Sequence, residues 1–214
     1  MSTGSNGNRQ WKFDSNIAPV FVEHARQHIP NYEAVTNKCA RYCALNLPRD
    51  SKIIDVGCAT GYTLKKLHDS GFTNLHGVDN SEDMLRLTPP GIATYHVSEV
   101  FPSGQYDMIL CNWTLHFIKD KVTYLQSMYD GLRDGGAMIL SDKTSKDERL
   151  IKMYHDHKLN MGVPEQLIEE KRRQIENVMF INSSDWYRSV LKELGWTVDT
   201  IDADWCFTTF LCRK

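Results

Sequence analysis

The stretch Ile53-Ile54-Asp55-Val56-Gly57-Cys58-Ala59-Thr60-Gly61 constrains this chain more than any other. A β-branched run ends in an acid, and a small-residue turn leads into the helical pattern of Tyr62 to Ser70. A short apolar strand, Leu75 to Val78, then ends at a second acid in Val78-Asp79-Asn80. That order is a βαβ unit whose first turn brings bare backbone up to a ligand at the carboxyl ends of the strands.

What the turn lacks narrows the ligand. A dinucleotide fingerprint needs three glycines so that a pyrophosphate can rest on a helix N-terminus. Here Gly57 and Gly61 are in place, but Ala59 holds the middle position, and no Lys-Ser/Thr pair makes a P-loop. Asp55 repels a phosphate and suits a cationic amino-acid end. Asp79 suits a ribose diol, because one carboxylate accepts from both hydroxyls. An adenosine with an amino-acid tail is S-adenosylmethionine. The bland alternative is a doubly wound domain that merely has glycine at a strand–helix turn.

The rest of the pattern surrounds this unit. Residues 1–10 are rich in Ser, Gly and Asn and read as a disordered tail, with one domain over 11–214. Trp11 to Leu47 reads as two helices broken at Ile29-Pro30-Asn31, a cap (11–47) over the cofactor mouth. Strands follow at Lys52 to Val56, Leu75 to Val78, Ala93 to Val97, Tyr106 to Cys111 and Ala137 to Ser141. Ser81 reads as an N-cap, and a helix from Asp120 to Leu132 ends at Asp134-Gly135-Gly136. Helices over Asp147 to Asn160, Glu165 to Phe180 and Ser183 to Gly195 make a lobe (143–195) within the domain. Thr197 to Ile201 and Trp205 to Cys212 are joined tightly and so pair antiparallel. The expected fold is α/β: a doubly wound, mostly parallel, seven-stranded sheet of the Rossmann-like methyltransferase type, with a helical cap before it and an antiparallel hairpin at its end.

Composition removes other classes. A chain of 214 residues suffices for one α/β domain with a full core. The net charge of −2, with acids and bases interleaved, argues against nucleic acid as the main partner, although a smaller RNA-docking face stays open. The sequence has neither a membrane-spanning apolar run nor a signal-peptide pattern. Six cysteines lie mostly in apolar runs and read as the reduced thiols of a cytoplasmic protein. Cys39 and Cys43 lie one helical turn apart, but nothing nearby completes a metal site, so no metal is expected.

These motifs match a family. Asp55 to Gly61, Gly77-Val78-Asp79-Asn80-Ser81 with Met84, and Asn112-Trp113-Thr114-Leu115-His116-Phe117 resemble class I S-adenosylmethionine-dependent methyltransferases. Phe13-Asp14 through Ile29-Pro30-Asn31-Tyr32, Leu140-Ser141-Asp142-Lys143 and Lys171 to Met179 resemble, more narrowly, carboxy-S-adenosylmethionine synthase of bacterial tRNA wobble-uridine modification. The resemblance implies that Gly57, Cys58 and Ala59 line the methionine part and that Asp79 takes the ribose with Asn80 beside it. It further implies that Glu99 and Val100 flank the adenine, that Asn112 holds the methionyl group, and that Tyr32 reaches the cofactor's carboxylate. It also admits a homodimer. One departure stands out: the arginine that grips the extra carboxylate in that enzyme aligns with Val190, between Arg188 and Lys192.

The sulfonium makes the methyl electrophilic, so the protein mainly orients an acceptor and excludes water. A base helps only if the acceptor must lose a proton, and His116 is the candidate. Packing in its Leu-His-Phe turn is the plainer account. Tyr154 and His157 are expected to line the acceptor pocket, whereas Trp186, Tyr187 and Trp205 read as core first. Glu169-Glu170-Lys171-Arg172-Arg173 reads as a solvated helix face. Three readings result. The first is a methyltransferase for a small-molecule acceptor, forming S-adenosylhomocysteine, in which Val190 marks a lost carboxylate grip. The second is a carboxy-S-adenosylmethionine synthase using prephenate, with Arg188 or another base replacing the arginine. The third is a non-catalytic S-adenosylmethionine-binding protein.

Overall fold

The computed structural model describes residues 13–97, 100–175 and 178–214. Glu99 and the 1–10 tail lie outside them. Two helices, α1 (Phe21–His28) and α2 (Tyr32–Asn46), precede the sheet. The break falls at Ile29-Pro30-Asn31, where Asn31 adopts the left-handed region (φ 58°). Then follow β1 (Ile53–Val56), α3 (Tyr62–Asp69), β2 (Leu75–Asp79), α4 (Glu82–Leu85) and β3 (Ala93–His96). Next come β4 (Tyr106–Asn112), α5 (Lys121–Gly131), β5 (Leu132–Lys143), α6 (Glu148–Asn160), α7 (Glu165–Ile175), α8 (Ser184–Glu193), β6 (Thr197–Asp204) and β7 (Phe207–Arg213).

The seven strands form one sheet in the order β3-β2-β1-β4-β5-β7-β6. β1 to β5 are parallel, and β7 runs antiparallel between β5 and β6. The crossover on either side of β1 opens a crevice at the carboxyl ends of β1 and β4, where ligands bind in doubly wound sheets. Alternate residues of the central strands feed two cores. Ile54, Val56, Ile109, Cys111, Met138 and Leu140 pack on one face. Ile53, Met108, Leu110, Ala137 and Ile139 pack on the other, with α2 and α3. Such continuous burial is why these strands read as unbroken apolar runs.

Three boundaries differ from expectation. β5 begins at Leu132, not Ala137, because Leu132 pairs with Tyr106 and a register shift between Tyr106 and Met108 absorbs the Gly135-Gly136 pair. The helix of α7 does not reach Phe180: Val178 and Met179 both donate back to the Ile175 carbonyl, and Met179 and Phe180 lie outside any helix. β6 runs on to Asp204 past a bulge between Thr200 and Asp202. No helix among the described residues is long and apolar enough to cross a membrane. All six cysteines are free and buried.

Candidate functional site

The turn after β1 is built on backbone freedom. Gly57, Ala59 and Gly61 all have positive φ (70°, 48° and 76°), and the Gly57 and Cys58 N–H groups donate to the Val78 carbonyl at 2.8 and 3.1 Å. The second acid fixes this turn. Asp79 Oδ2 accepts from the Ala59 N–H at 2.9 Å, and Oδ1 accepts from the Ser81 N–H at 2.9 Å. Ser81 also caps α4, accepting from the Met84 N–H.

Asp55 stands behind the turn, buried, and no hydrogen bond among the described residues reaches its carboxylate. Burial, and then the Asp79 charge, push its pKa up to about 8. Burial also raises Asp79, against the pull of its backbone donors. A cationic amine between the two would relieve both. Asn112, at the end of β4, donates through Nδ2 to Cys39 Sγ at 3.5 Å, while its buried Oδ1 has no partner. These two orphaned acceptors and the bare backbone of the turn fit the amino-acid end of S-adenosylmethionine.

A cavity of about 1370 Å³ joins these groups. Ligand pockets commonly span about 300–1,000 Å³, so a cofactor and a second molecule fit together. Tyr32, Asp55, Gly57, Cys58, Ala59, Asp79, Asn80, Asn112 and His116 all line it. Tyr32 is buried and stacks near Trp113 (5.0 Å between centroids) and Tyr62 (5.8 Å). Glu33 ties this cap region to α3, accepting from Arg26 Nε at 2.8 Å, Tyr62 Oη at 2.7 Å and Lys66 Nζ at 3.1 Å. Gly61 and Val100 do not line the cavity: Gly61 packs against Thr88 and Pro89, and Val100 is 70 % exposed, with Val97 on the wall instead.

His116 is buried, and its Nδ1 is hydrogen-bonded to Asp142 Oδ1, as is its own backbone N–H at 3.3 Å. The Tyr187 hydroxyl donates to Asp142 Oδ2. Asp142, fully buried at the end of β5, thus links a cavity histidine to a core tyrosine. Sequence spacing offers no way to pair residues 116, 142 and 187. Only the β4–β5 register, which sets Asn112 opposite Ser141, brings the first two together.

Several expectations are corrected. Val190 lies on α8 against the core and does not line the cavity, so its apolar character says nothing about a carboxylate held there. Arg188 also points away, paired with Asp185 at 2.7 Å and donating to Thr200 at 3.0 Å. On α6 it is Tyr154 and His155, not His157, that line the cavity; the Asp204 carboxylate acts on His157. The charged run on α7 is not wholly solvated. Lys171 turns inward, hydrogen-bonded to His24 Nε2, beside the buried Ile168.

Comparison with known proteins bears on the family and the fold. A family model described as a methyltransferase domain matches residues 23–201. The carboxy-S-adenosyl-L-methionine synthase of Wolinella succinogenes is 30% identical over 96% of this chain and 94% of its own length. Its counterpart from Campylobacter hominis is 28% identical over 96% and 95%. Among solved structures, magnesium protoporphyrin IX methyltransferase from Synechocystis, crystallised with bound SAH, superposes with a TM-score of 0.64 at 14% identity, covering 92% of this chain and 94% of that one.

Proposed function

The chain belongs to the methyltransferase-domain family, within the class I S-adenosylmethionine-dependent superfamily, and from that premise we propose that it methylates a small-molecule acceptor held in the same cavity as the cofactor. One observation carries the reading: the cofactor-facing groups Asp55, Asp79 and Asn112 share a cavity with His116, which the buried Asp142 holds from behind. S-Adenosylmethionine, when bound, supplies a methyl already activated by its sulfonium. Asp55 would hold the amino end, Asp79 the ribose diol and Tyr32 the carboxylate. Asp142 holds His116 by Nδ1, which leaves Nε2 as the nitrogen able to take a proton from the acceptor. The cap helices and α6–α7 wall the cavity. Purified protein given methyl-labelled S-adenosylmethionine and a fractionated small-molecule extract should move label into a new product and leave S-adenosylhomocysteine. Label that stays with the cofactor in every fraction would overturn the reading.

A second reading is favoured by one specific observation. The curated relatives matching nearly the whole chain are carboxy-S-adenosyl-L-methionine synthases. On that reading prephenate breaks the bond to its ring carboxyl and expels hydroxide as it aromatises; the hydroxide takes a proton from the cofactor's methyl, and the carbanion so formed bonds the carboxyl carbon, leaving phenylpyruvate and water. Incubation with S-adenosylmethionine and prephenate separates the two, since a cofactor heavier by one carboxylate can arise only from the second. A merely cofactor-binding protein would turn over neither. The six free buried thiols suit a cytoplasmic setting. The homodimer implied by resemblance is checked by light scattering.

A further inference from the structure

Two lysines from two elements converge on one aromatic ring in the wall of the cavity, and a third lines the same wall. Lys158 of α6 places Nζ 3.9 Å from the Tyr154 ring centroid, and Lys143, the last residue of β5, places Nζ 5.2 Å from it. Lys171 of α7 joins them, bonded to His24. The ring itself is fixed: the Tyr154 hydroxyl donates to the His28 carbonyl at 2.7 Å, and Phe207 packs edge-on at 5.3 Å. Lys158 is only 9% exposed. No carboxylate among the described residues forms an ion pair with Lys143 or Lys158. The neighbouring Glu169 is engaged with Arg172 at 3.1 Å.

Ammonium groups drawn this close, with the Glu169 and Asp142 carboxylates near Lys158 and Lys143 but not ion-paired to them, are costly to bury. Burial, and then Lys143, hold Lys158 down at about 8; burial, and then Lys158, hold Lys171 down at about 7. Their mutual effect means that the ammonium groups share one local field. All three, with Tyr154, line the cavity that also holds His116. The cofactor end of that cavity has the opposite character, with Asp55 and Asp79. One charged molecule does not suit both ends.

We propose that the acceptor is an anion, its carboxylate or phosphate seated between Lys143 and Lys158 against the Tyr154 ring, with Lys171 beside it. This assignment of the acceptor rests on the methyl-transfer reading above; the anion site itself does not. The lysines hold the anionic end while the reacting atom lies toward His116. Lys158, lowered by burial and Lys143 with Cys206 and Glu169 acting the other way, regains full charge when the anion arrives, so binding takes up protons near pH 8.

The test uses the whole protein saturated with S-adenosylhomocysteine. Malonate and inorganic phosphate are titrated in separately by calorimetry, against sodium chloride of matched ionic strength. At least one should bind saturably with proton uptake, and binding should be lost in Lys143→Met and Lys158→Met, which keep S-adenosylhomocysteine affinity. A response to malonate alone marks a carboxylate acceptor, and one to phosphate alone a phosphorylated acceptor. The wild type gives a second readout independent of variant folding: the effective anion should protect Lys158 from trinitrobenzenesulfonate in peptide mapping. Silence from both anions, or binding that survives both substitutions and leaves Lys158 unprotected, overturns the proposal. Failure to bind S-adenosylhomocysteine at all counts instead against the methyl-transfer reading.

Discussion

Asp79 clamps the cofactor turn through Ala59: its Oδ2, at the end of β2, accepts the Ala59 N–H at 2.9 Å from the turn after the neighbouring β1. The acid expected to meet a ribose therefore has a second task. It pins a non-glycine residue at positive φ, a conformation that L-residues adopt at some cost.

Asp79→Asn keeps the side-chain shape but gives up the charge. Loss of a charge-assisted hydrogen bond costs about 1.5–3 kcal/mol, or roughly ten- to 150-fold in affinity for S-adenosylhomocysteine. Asp79→Ala should lower the melting temperature as well, because the Ala59 and Ser81 N–H groups lose their acceptor. Calorimetry giving the same affinity for wild type and Asp79→Asn would remove the ribose assignment.

Asp55 should report cofactor binding as a proton. Its folded pKa, about 8, lies above its ordinary value of 3.8. A raised carboxyl contributes stability at low pH and loses it as pH rises, here between about 4 and 8. Because His24 and His28 act the opposite way below pH 6.5, the effect is read as a difference: the melting temperature of ligand-free Asp55→Asn relative to wild type should rise from pH 5 to pH 8. A ligand ammonium beside Asp55 favours the carboxylate, so binding near pH 7 should release a proton. Binding enthalpies that do not vary with the buffer's ionisation enthalpy would place the amine elsewhere.

Local chemistry was legible in the sequence, and cross-chain chemistry was not. The β1 turn, Asp55, Asp79 and the Ser81 cap all lie within one βαβ unit, so spacing alone locates them. The antiparallel β6–β7 pair was legible for the same reason, since a tight connection permits little else. Asp142 could not be paired with His116, because the partnership depends on the β4–β5 register. The lysine cluster was hidden by its own sequence context. Lys171 sits in a run of charges that reads as solvated, and only packing of α7 beside α1 turns it inward. Val190 misled because linear alignment cannot say which face of α8 meets the core.

His116 and Asp142 should act as a unit if the acceptor loses a proton. General-base loss typically costs about 10²–10⁴ in rate, so His116→Asn should lower kcat on that scale while S-adenosylhomocysteine affinity holds. Asp142→Asn should do much the same, because an amide can orient the ring the wrong way. Tyr187→Phe removes one donor from Asp142 and should lower kcat less than either. An unchanged kcat in all three would reduce His116 to packing.

The cap should loosen in acid. Burial, and then Lys171, hold His24 down at about 3; burial, and then Lys171, hold His28 down at about 4. A histidine with a depressed pKa contributes stability that is complete above its ordinary 6.5 and is lost as pH falls toward the folded value. Intrinsic-rate-corrected hydrogen exchange in α1 should therefore accelerate between pH 6.5 and 4 ahead of the β4–β5 core. Uniform exchange across α1 and the core over that range would refute a locally titrating cap.

Gly57 is fixed by its neighbour rather than by a ligand. A Cβ there would lie 2.1 Å from Thr114 Oγ1, at a φ of +70° that already disfavours side chains. Thr114 cannot easily retreat, because its hydroxyl donates to the Val56 carbonyl at 3.0 Å and so ties β4 to the end of β1. Gly57→Ala should cost about 1–3 kcal/mol from backbone strain alone, plus the clash. Thr114→Ala removes Oγ1 and Cγ2 and leaves the backbone strain in place. The double variant should accordingly be less destabilised than the sum of the two singles, with a coupling of about 0.5–3 kcal/mol in urea unfolding. Strict additivity would mean that the turn shifts to accommodate the methyl, and that the glycine is needed for φ alone.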